Sequence, residues 1–200
     1  MQKTDLAKEQ KHYYRAKPMP ELVTIAAAGY LALEGHGDPA SPVFAGKIKA
    51  LYASAYNVKK ICKLQEMDFK VAPLEGLWWT PSGEPLAQVP REEWFWKLSI
   101  QLPGFVTAND CKQAVALAGN RKLPYLDELV YEQLPPTLAV QLLHIGPYSE
   151  ETPSHEKLYH YINQHHLDVN GAHHEIYIND PNKTPGERLK TILRVDVRTK

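Results

Sequence analysis

Two stretches of this chain run through the same order of signals, and that repetition restricts the fold more than any single motif does. Each opens with an apolar run, crosses a Ser-Pro or Thr-Pro step into a segment with helical spacing, and closes with two strand-like segments joined by a Pro-rich turn. In the first stretch, Val23 to Leu33 is apolar enough for a buried strand and stops at Gly35 and Gly37. Ser41-Pro42 reads as an N-cap and first helical residue, because the first turn of a helix leaves its N–H groups unpaired and Pro has none to lose. Phe44, Ile48, Leu51, Tyr52 and Ala55 then recur at helical spacing, while Lys47, Lys49, Lys59 and Lys60 fall mostly at other angles. Phe69 to Trp79 and Trp94 to Leu102 are the expected strands, with Thr80-Pro-Ser-Gly-Glu-Pro85 turning the chain between them.

The second stretch repeats this with Thr137 to Ile145 as a strand, Gly146-Pro147 as its stop, and Thr152-Pro153 as N-cap and first helical residue. Leu158, Tyr161, Ile162 and His165 are the expected inward stripe. His174 to Ile178 and Leu189 to Val197 follow as strands around the turn at residues 179–185. Between the stretches, Asn109 to Ala118 reads as a helix opened by Asn109 or Asp110 and closed by Gly119, and Glu128 to Gln133 as a short strand. The predicted fold is therefore α+β: a duplicated βαββ repeat with pseudo-twofold symmetry, antiparallel sheets flanked by helices, and a ligand cleft between the halves. The expected organisation is a polar N-terminal leader at residues 1–20 and a single domain at 21–200, with repeats at about 21–105 and 134–200. Each repeat alone is small for a self-sufficient core, which favours one cooperative domain.

Strand alternation sorts the side chains into two faces. With Ile176 and Ile178 placed under the helix, Glu175 and Tyr177 turn to the opposite, ligand-facing side. The same parity puts Trp78 in the core and Glu75, Leu77 and Trp79 toward the ligand; Trp96, Leu98 and Ile100 read as core, leaving Phe95 and Lys97 on the open face. A carboxylate at Glu175 also admits an ion pair with Lys190 or Lys97.

Composition closes off several function classes. Lys plus Arg and Asp plus Glu balance at 23 each without long blocks of one sign, which provides no field for nucleic acid or an anionic membrane surface. The apolar run at Val23 to Leu33 is shorter than the ~20 residues that span a bilayer, and the chain starts with a polar segment, so a cytoplasmic protein is expected. Cys62 and Cys111 have no CxxC spacing and read as buried reduced thiols. Nine histidines raise a metal reading, yet His155 and His160 are five apart and diverge around a helix, unlike the i, i+4 pair of HExxH. Surface or capping histidines, no metal and no cofactor are the expectation. No GxSxG supports a Ser hydrolase.

Gln141-Leu-Leu-His-Ile-Gly-Pro-Tyr148, His174-Glu-Ile-Tyr-Ile-Asn-Asp-Pro181 and Leu189-Lys-Thr-Ile-Leu-Arg194 resemble, in order and spacing, the C-terminal signature of GyrI-like (gyrase-inhibitor-like) proteins. Pro73-Leu-Glu-Gly-Leu-Trp-Trp79 and the Trp94-Phe-Trp-Lys segment resemble the N-terminal half of a stand-alone subfamily, the cyclopropanoid cyclopropyl hydrolases. The resemblance implies a pseudo-twofold βαββ domain that binds bulky aromatic xenobiotics. In that subfamily it further implies hydrolysis of the strained cyclopropane of yatakemycin-type DNA-alkylating compounds within an aromatic cage. Ile192 stands where many drug-binding relatives carry a Glu, a departure that argues against cationic ligands. On this reading Glu175 orients or deprotonates water and Tyr177 donates to the ligand oxygen, while Glu75, Trp79, Phe95 and Tyr148 bind the ligand. Three functions stay open: a detoxifying hydrolase, a non-catalytic module that sequesters a ligand or serves regulation, and a gyrase-inhibitor-like interaction protein, each as monomer or homodimer.

Overall fold

The computed structural model describes residues 3–119 and 122–200; residues 1 and 2 of the predicted leader lie outside them. In chain order the principal elements are α1 (Leu6–Glu9), α2 (Lys11–Tyr14), β1 (Glu21–Ile25), β2 (Ala28–His36), α3 (Pro42–Leu64), β3 (Leu74–Trp79), β4 (Phe95–Leu102), α4 (Ala108–Gly119), β5 (Val130–Leu134), β6 (Thr137–Ile145), α5 (Thr152–Gln164), β7 (Leu167–Tyr177) and β8 (Lys190–Thr199). The fold is α+β with antiparallel strand pairing. Two departures from the predicted strands stand out. The apolar run at Val23 to Leu33 is divided at Ala26-Ala27 into β1 and β2, which pair with different strands; apolarity marks burial but not a change of partner. Phe69 does not begin β3. It makes an isolated bridge with Thr4, and Pro73, which has no N–H to contribute to a ladder, separates it from the strand.

The chain divides into two compact units. The first comprises the segment ending at Glu9, Ala28–Ala72 and Trp78–Leu134. Its strands pair in the order β4-β2-β5, with Leu31 opposite Ile100 and Leu33 opposite Leu98. Trp96, Leu98 and Ile100 are wholly buried, as alternation requires, and α3 packs on β2 and β4. The Ser41 hydroxyl accepts the Phe44 N–H at 3.3 Å with Pro42 as first helical residue, so this cap forms as the sequence indicates. Gly35 stands opposite Trp96 because the indole lies across it; a Cβ there would come within 2.2 Å of the ring. Lys47 departs from the solvent-facing expectation. It is buried, and its ammonium ion meets the Glu128 carboxylate at 2.6 Å and the Glu34 carbonyl, which supply the partners a buried charge requires. Lys97 is ion-paired with Glu34 at 3.0 Å and Glu132 at 3.1 Å, so it is engaged within its own unit rather than with Glu175.

The second unit comprises Gln10–Ala27, Pro73–Leu77 and Pro135–Lys200. Its strands pair in the order β1-β6-β8-β7. Leu158 and Ile162 of α5 pack on Val140, Leu142, Leu193, Val195 and Val197, with Tyr161 against the edge of this cluster. His165 ends the helix exposed to solvent instead of joining the stripe. Thr152 is the first helical residue rather than the cap. The chain enters through a 3-10 turn at Tyr148–Glu150, and Glu151 is already in helical backbone, so no extended capping residue precedes the helix.

β7 holds the most consequential correction. Its register against β8 shifts between Val169 and His173, after which His173 faces Val195, Glu175 faces Leu193 and Tyr177 faces Thr191. Directly opposed residues share a sheet face, and Leu193 and Val195 pack against α5. His173, Glu175 and Tyr177 therefore lie on the helix-covered face, and Ile176 lies on the other, the reverse of the predicted parity. The alternation was right; the identity of the covered face was not, because apolar residues occupy both. On that second face Arg194 donates to Gln141 Oε1 at 3.1 and 2.7 Å and to the Tyr13 carbonyl at 2.7 Å. Tyr13 and Tyr14 are buried, so the polar leader contributes aromatic residues to the interior of the fold.

Candidate functional site

Polar side chains from four elements of the second unit collect at the first turn of α5. Gly146 makes this possible: its φ of +142° is one that L side chains rarely adopt, and its N–H reaches the Leu189 carbonyl at 3.0 Å. The chain then turns through Pro147 and delivers Tyr148 and Glu151. From β6, His144 lies 3.0 Å from the Ser154 hydroxyl through Nδ1 and 3.3 Å from the Pro147 carbonyl through Nε2. From β7, the Tyr177 hydroxyl donates to Glu175 Oε2 at 2.7 Å, and His173 Nε2 lies 3.3 Å from Glu175 Oε1. His155 of α5 has its ring centroid 4.2 Å from that of His173 and its Nε2 3.9 Å from Glu151 Oε2. The Tyr148 ring stands nearly perpendicular to Tyr177 at 5.7 Å.

This grouping separates the two carboxylates in proton affinity. Burial works to raise Glu175, but the adjacent His173 imidazole, the Tyr177 hydroxyl and the His155 ring outweigh it and hold the carboxyl below its usual range. Glu151 moves the other way: burial, reinforced by the negative charge of Glu175, pushes it up to about 8. Near neutral pH Glu175 carries the charge and Glu151 keeps its proton, the division from which acid and base roles are built. Burial and then the charges of Glu175, Glu151 and Asp180 push the Tyr148 phenol up to about 12, so it remains a hydrogen-bond donor. Burial lowers His155 against the opposing pull of Glu175.

Of the residues singled out from sequence, Glu175, Tyr177 and Tyr148 come together in this cluster. Tyr177 directs its proton to Glu175, where the sequence reading had it donate to a ligand oxygen. Trp79 and Phe95 form an aromatic pair in the first unit, with ring centroids 6.0 Å apart, and Phe95 stacks on His36 at 5.6 Å. Glu75 is wholly buried: Oε2 accepts from Tyr13 Oη at 2.6 Å and contacts His174 Nε2 at 2.9 Å, which makes it an interior anchor where a ligand contact was expected. Sequence reasoning missed Glu151 and read the histidines as surface or capping residues, whereas His173 is buried and His155 half-buried. For His173 a signal existed, since it precedes Glu175 by two residues on one strand; His155 and Glu151, four apart on the same helical turn, reach Glu175 only through packing of α5 on β7. His155, His173 and Glu175 each offer a ligand atom within 4.8 Å of the others, a convergence of helix and strand that the HExxH spacing test does not address. A separate surface concavity of about 460 Å³ is lined by Ile145, Asn179, Lys183, Thr184, Arg188 and Lys190, among others. Among the described residues, no helix is long and apolar enough to cross a membrane.

Residues 18–198 match the GyrI-like small-molecule-binding domain. No curated protein matches the chain. Among solved structures, an uncharacterized conserved protein from Listeria innocua is 31% identical, covering 98% of this chain and 100% of its own, with a TM-score of 0.90. A hydrolase from Listeria innocua is likewise 31% identical over 98% of this chain and 100% of its own, with a TM-score of 0.87. The C-terminal domain of EcmrR, 13% identical over 91% of this chain and 98% of its own with a TM-score of 0.58, is a likeness of fold alone. With a family match over nearly its whole length, this chain belongs to the GyrI-like small-molecule-binding domain family.

Proposed function

We propose that this protein binds planar hydrophobic xenobiotics and hydrolyses the cyclopropane of yatakemycin-type DNA-alkylating compounds, a cytoplasmic detoxification. The observation that carries the chemistry is the ionised Glu175, held at 2.7 Å by Tyr177 beside the protonated Tyr148 phenol. Membership of a small-molecule-binding family and 31% identity to a Listeria innocua hydrolase support the reading.

In the proposed reaction a water oxygen forms a bond to the less substituted cyclopropane carbon as the strained C–C bond breaks. The released electron pair passes through the conjugated ring to the dienone oxygen, which becomes a phenol on gaining a proton. Glu175 takes the proton lost by the water, and Tyr177 fixes the carboxylate's orientation. Tyr148 donates to the ligand oxygen, where negative charge develops and a preplaced donor is most effective. Trp79 and Phe95 are proposed as a stacking surface for planar ligands.

Glu175→Gln and Tyr177→Phe, each in a folded protein, should lower turnover by ~10²-fold or more. Unchanged rates in both would remove these residues from the mechanism. Binding of the compound without product would instead identify a sequestering protein.

A further inference from the structure

We propose that His155, His173 and Glu175 form a binding site for a divalent ion of the zinc class. The donor set is two imidazoles and one carboxylate, with ligand atoms mutually within 4.8 Å. Zinc takes such ligands at about 2.0–2.2 Å in a tetrahedron, which places donors roughly 3.4 Å apart and leaves a fourth position for water. Small side-chain rotations close the remaining gap, and His173 Nε2 and Glu175 Oε1 are already 3.3 Å apart.

His173 provides the independent observation. Its residue is 7% exposed, and neither ring nitrogen has a hydrogen-bond partner; Nε2 approaches Glu175 Oε1 at 3.3 Å without hydrogen-bond geometry. Buried imidazole nitrogens without partners are costly, and one of them can be satisfied by a metal ion. Glu151 Oε2 lies 3.9 Å from His155 Nε2, outside the ligand set. The helix and the strand contribute ligands from two elements that already pack together, so the site needs no rearrangement of the backbone.

The site shares Glu175 with the hydrolytic proposal, and its test is read without turnover. The full chain, stripped with chelator and dialysed, is titrated with Zn²⁺ by calorimetry and followed by thermal denaturation. Wild type should bind one equivalent and melt several degrees higher with excess ion, since a ligand at ~100 Kd stabilises by about 2.7 kcal/mol. His155→Ala and His173→Ala should each abolish the stoichiometric binding, and His160→Ala, an exposed position on the same helix, should leave it intact. If His173→Ala fails to fold, the half-buried His155→Ala variant and the visible absorption of tetrahedral Co²⁺ in wild type carry the test. Absence of one-equivalent binding, or binding that survives His155→Ala, overturns the proposal. An ion bound there would occupy the carboxylate that the hydrolytic reading uses as base, so that reading is tested separately, on product formation by the metal-free protein and on Tyr177→Phe.

Discussion

Tyr13→Phe isolates one hydrogen bond within the second unit, between α2 and β3. The phenol donates to Glu75 Oε2 at 2.6 Å, and Glu75 is wholly buried with its other oxygen lacking a partner. Deleting the hydroxyl leaves His174 as the remaining contact of that carboxylate, while the Tyr13 ring keeps its place 4.2 Å from the Arg194 guanidinium and its carbonyl keeps the Arg194 bond. A hydrogen bond to a charged group nets about 1.5–3 kcal/mol. For proteins of 150–250 residues each kcal/mol moves Tm by roughly 2–4 °C, so a fall of about 3–12 °C is expected. Urea denaturation of wild type, Tyr13→Phe, Glu75→Gln and the double variant measures the coupling directly. Tyr56→Phe, at an exposed tyrosine, is the control and should stay within about 0.5 kcal/mol. A Tyr13→Phe loss below ~0.5 kcal/mol, or a loss of equal size in the Glu75→Gln background, would refute the claim that this bond sustains the buried carboxylate.

Gly35→Ala should destabilise by about 1–3 kcal/mol in urea, because its Cβ would lie 2.2 Å from the buried Trp96 ring; Gly104→Ala, with open space around it, should not. Asp110 gives an acid-limb prediction. Burial opposes its ionisation, but the Thr107 hydroxyl and N–H, at 2.6 and 2.9 Å, and Gln65 hold its carboxyl below the usual range. A depressed carboxyl contributes stability that is full above the unfolded-state value of about 4 and is lost as pH falls below it. Asp110→Asn should therefore flatten the decline in Tm below pH 5, and an unchanged acid limb would contradict the assignment. Trp79→Ala should weaken binding of a planar aromatic compound by roughly 3–10-fold in a fluorescence titration, the equivalent of one aromatic pair.

The large features of the fold were legible where a local rule has one outcome. Ser41-Pro42 could start only a helix, and the alternation at Trp96, Leu98 and Ile100 placed all three indole and aliphatic side chains in the core. Legibility failed where the outcome depends on a partner distant in sequence. The run at Val23 to Leu33 showed burial but not its exchange of neighbours at Ala26-Ala27. Ile176 and Ile178 showed an apolar face but not that α5 covers the opposite one, so Glu175 and Tyr177 were grouped correctly and placed on the wrong side. Tyr13 and Tyr14 sit in a polar segment whose composition conceals their burial. The candidate site was half visible for the same reason: family motifs carried Tyr148, Glu175 and Tyr177, whereas Glu151 and His155 join them only through the docking of α5 on β7.

The proposed function is hydrolysis of a strained cyclopropane by addition of water. The direct measurement incubates purified protein with a yatakemycin-type compound in ¹⁸O-labelled water and follows products by liquid chromatography and mass spectrometry beside a protein-free control. Catalytic formation of a product that has gained one labelled water, sharply reduced in Glu175→Gln, is the expected result. Compound that stays intact at the protein-free rate, whether or not it binds, would contradict the account.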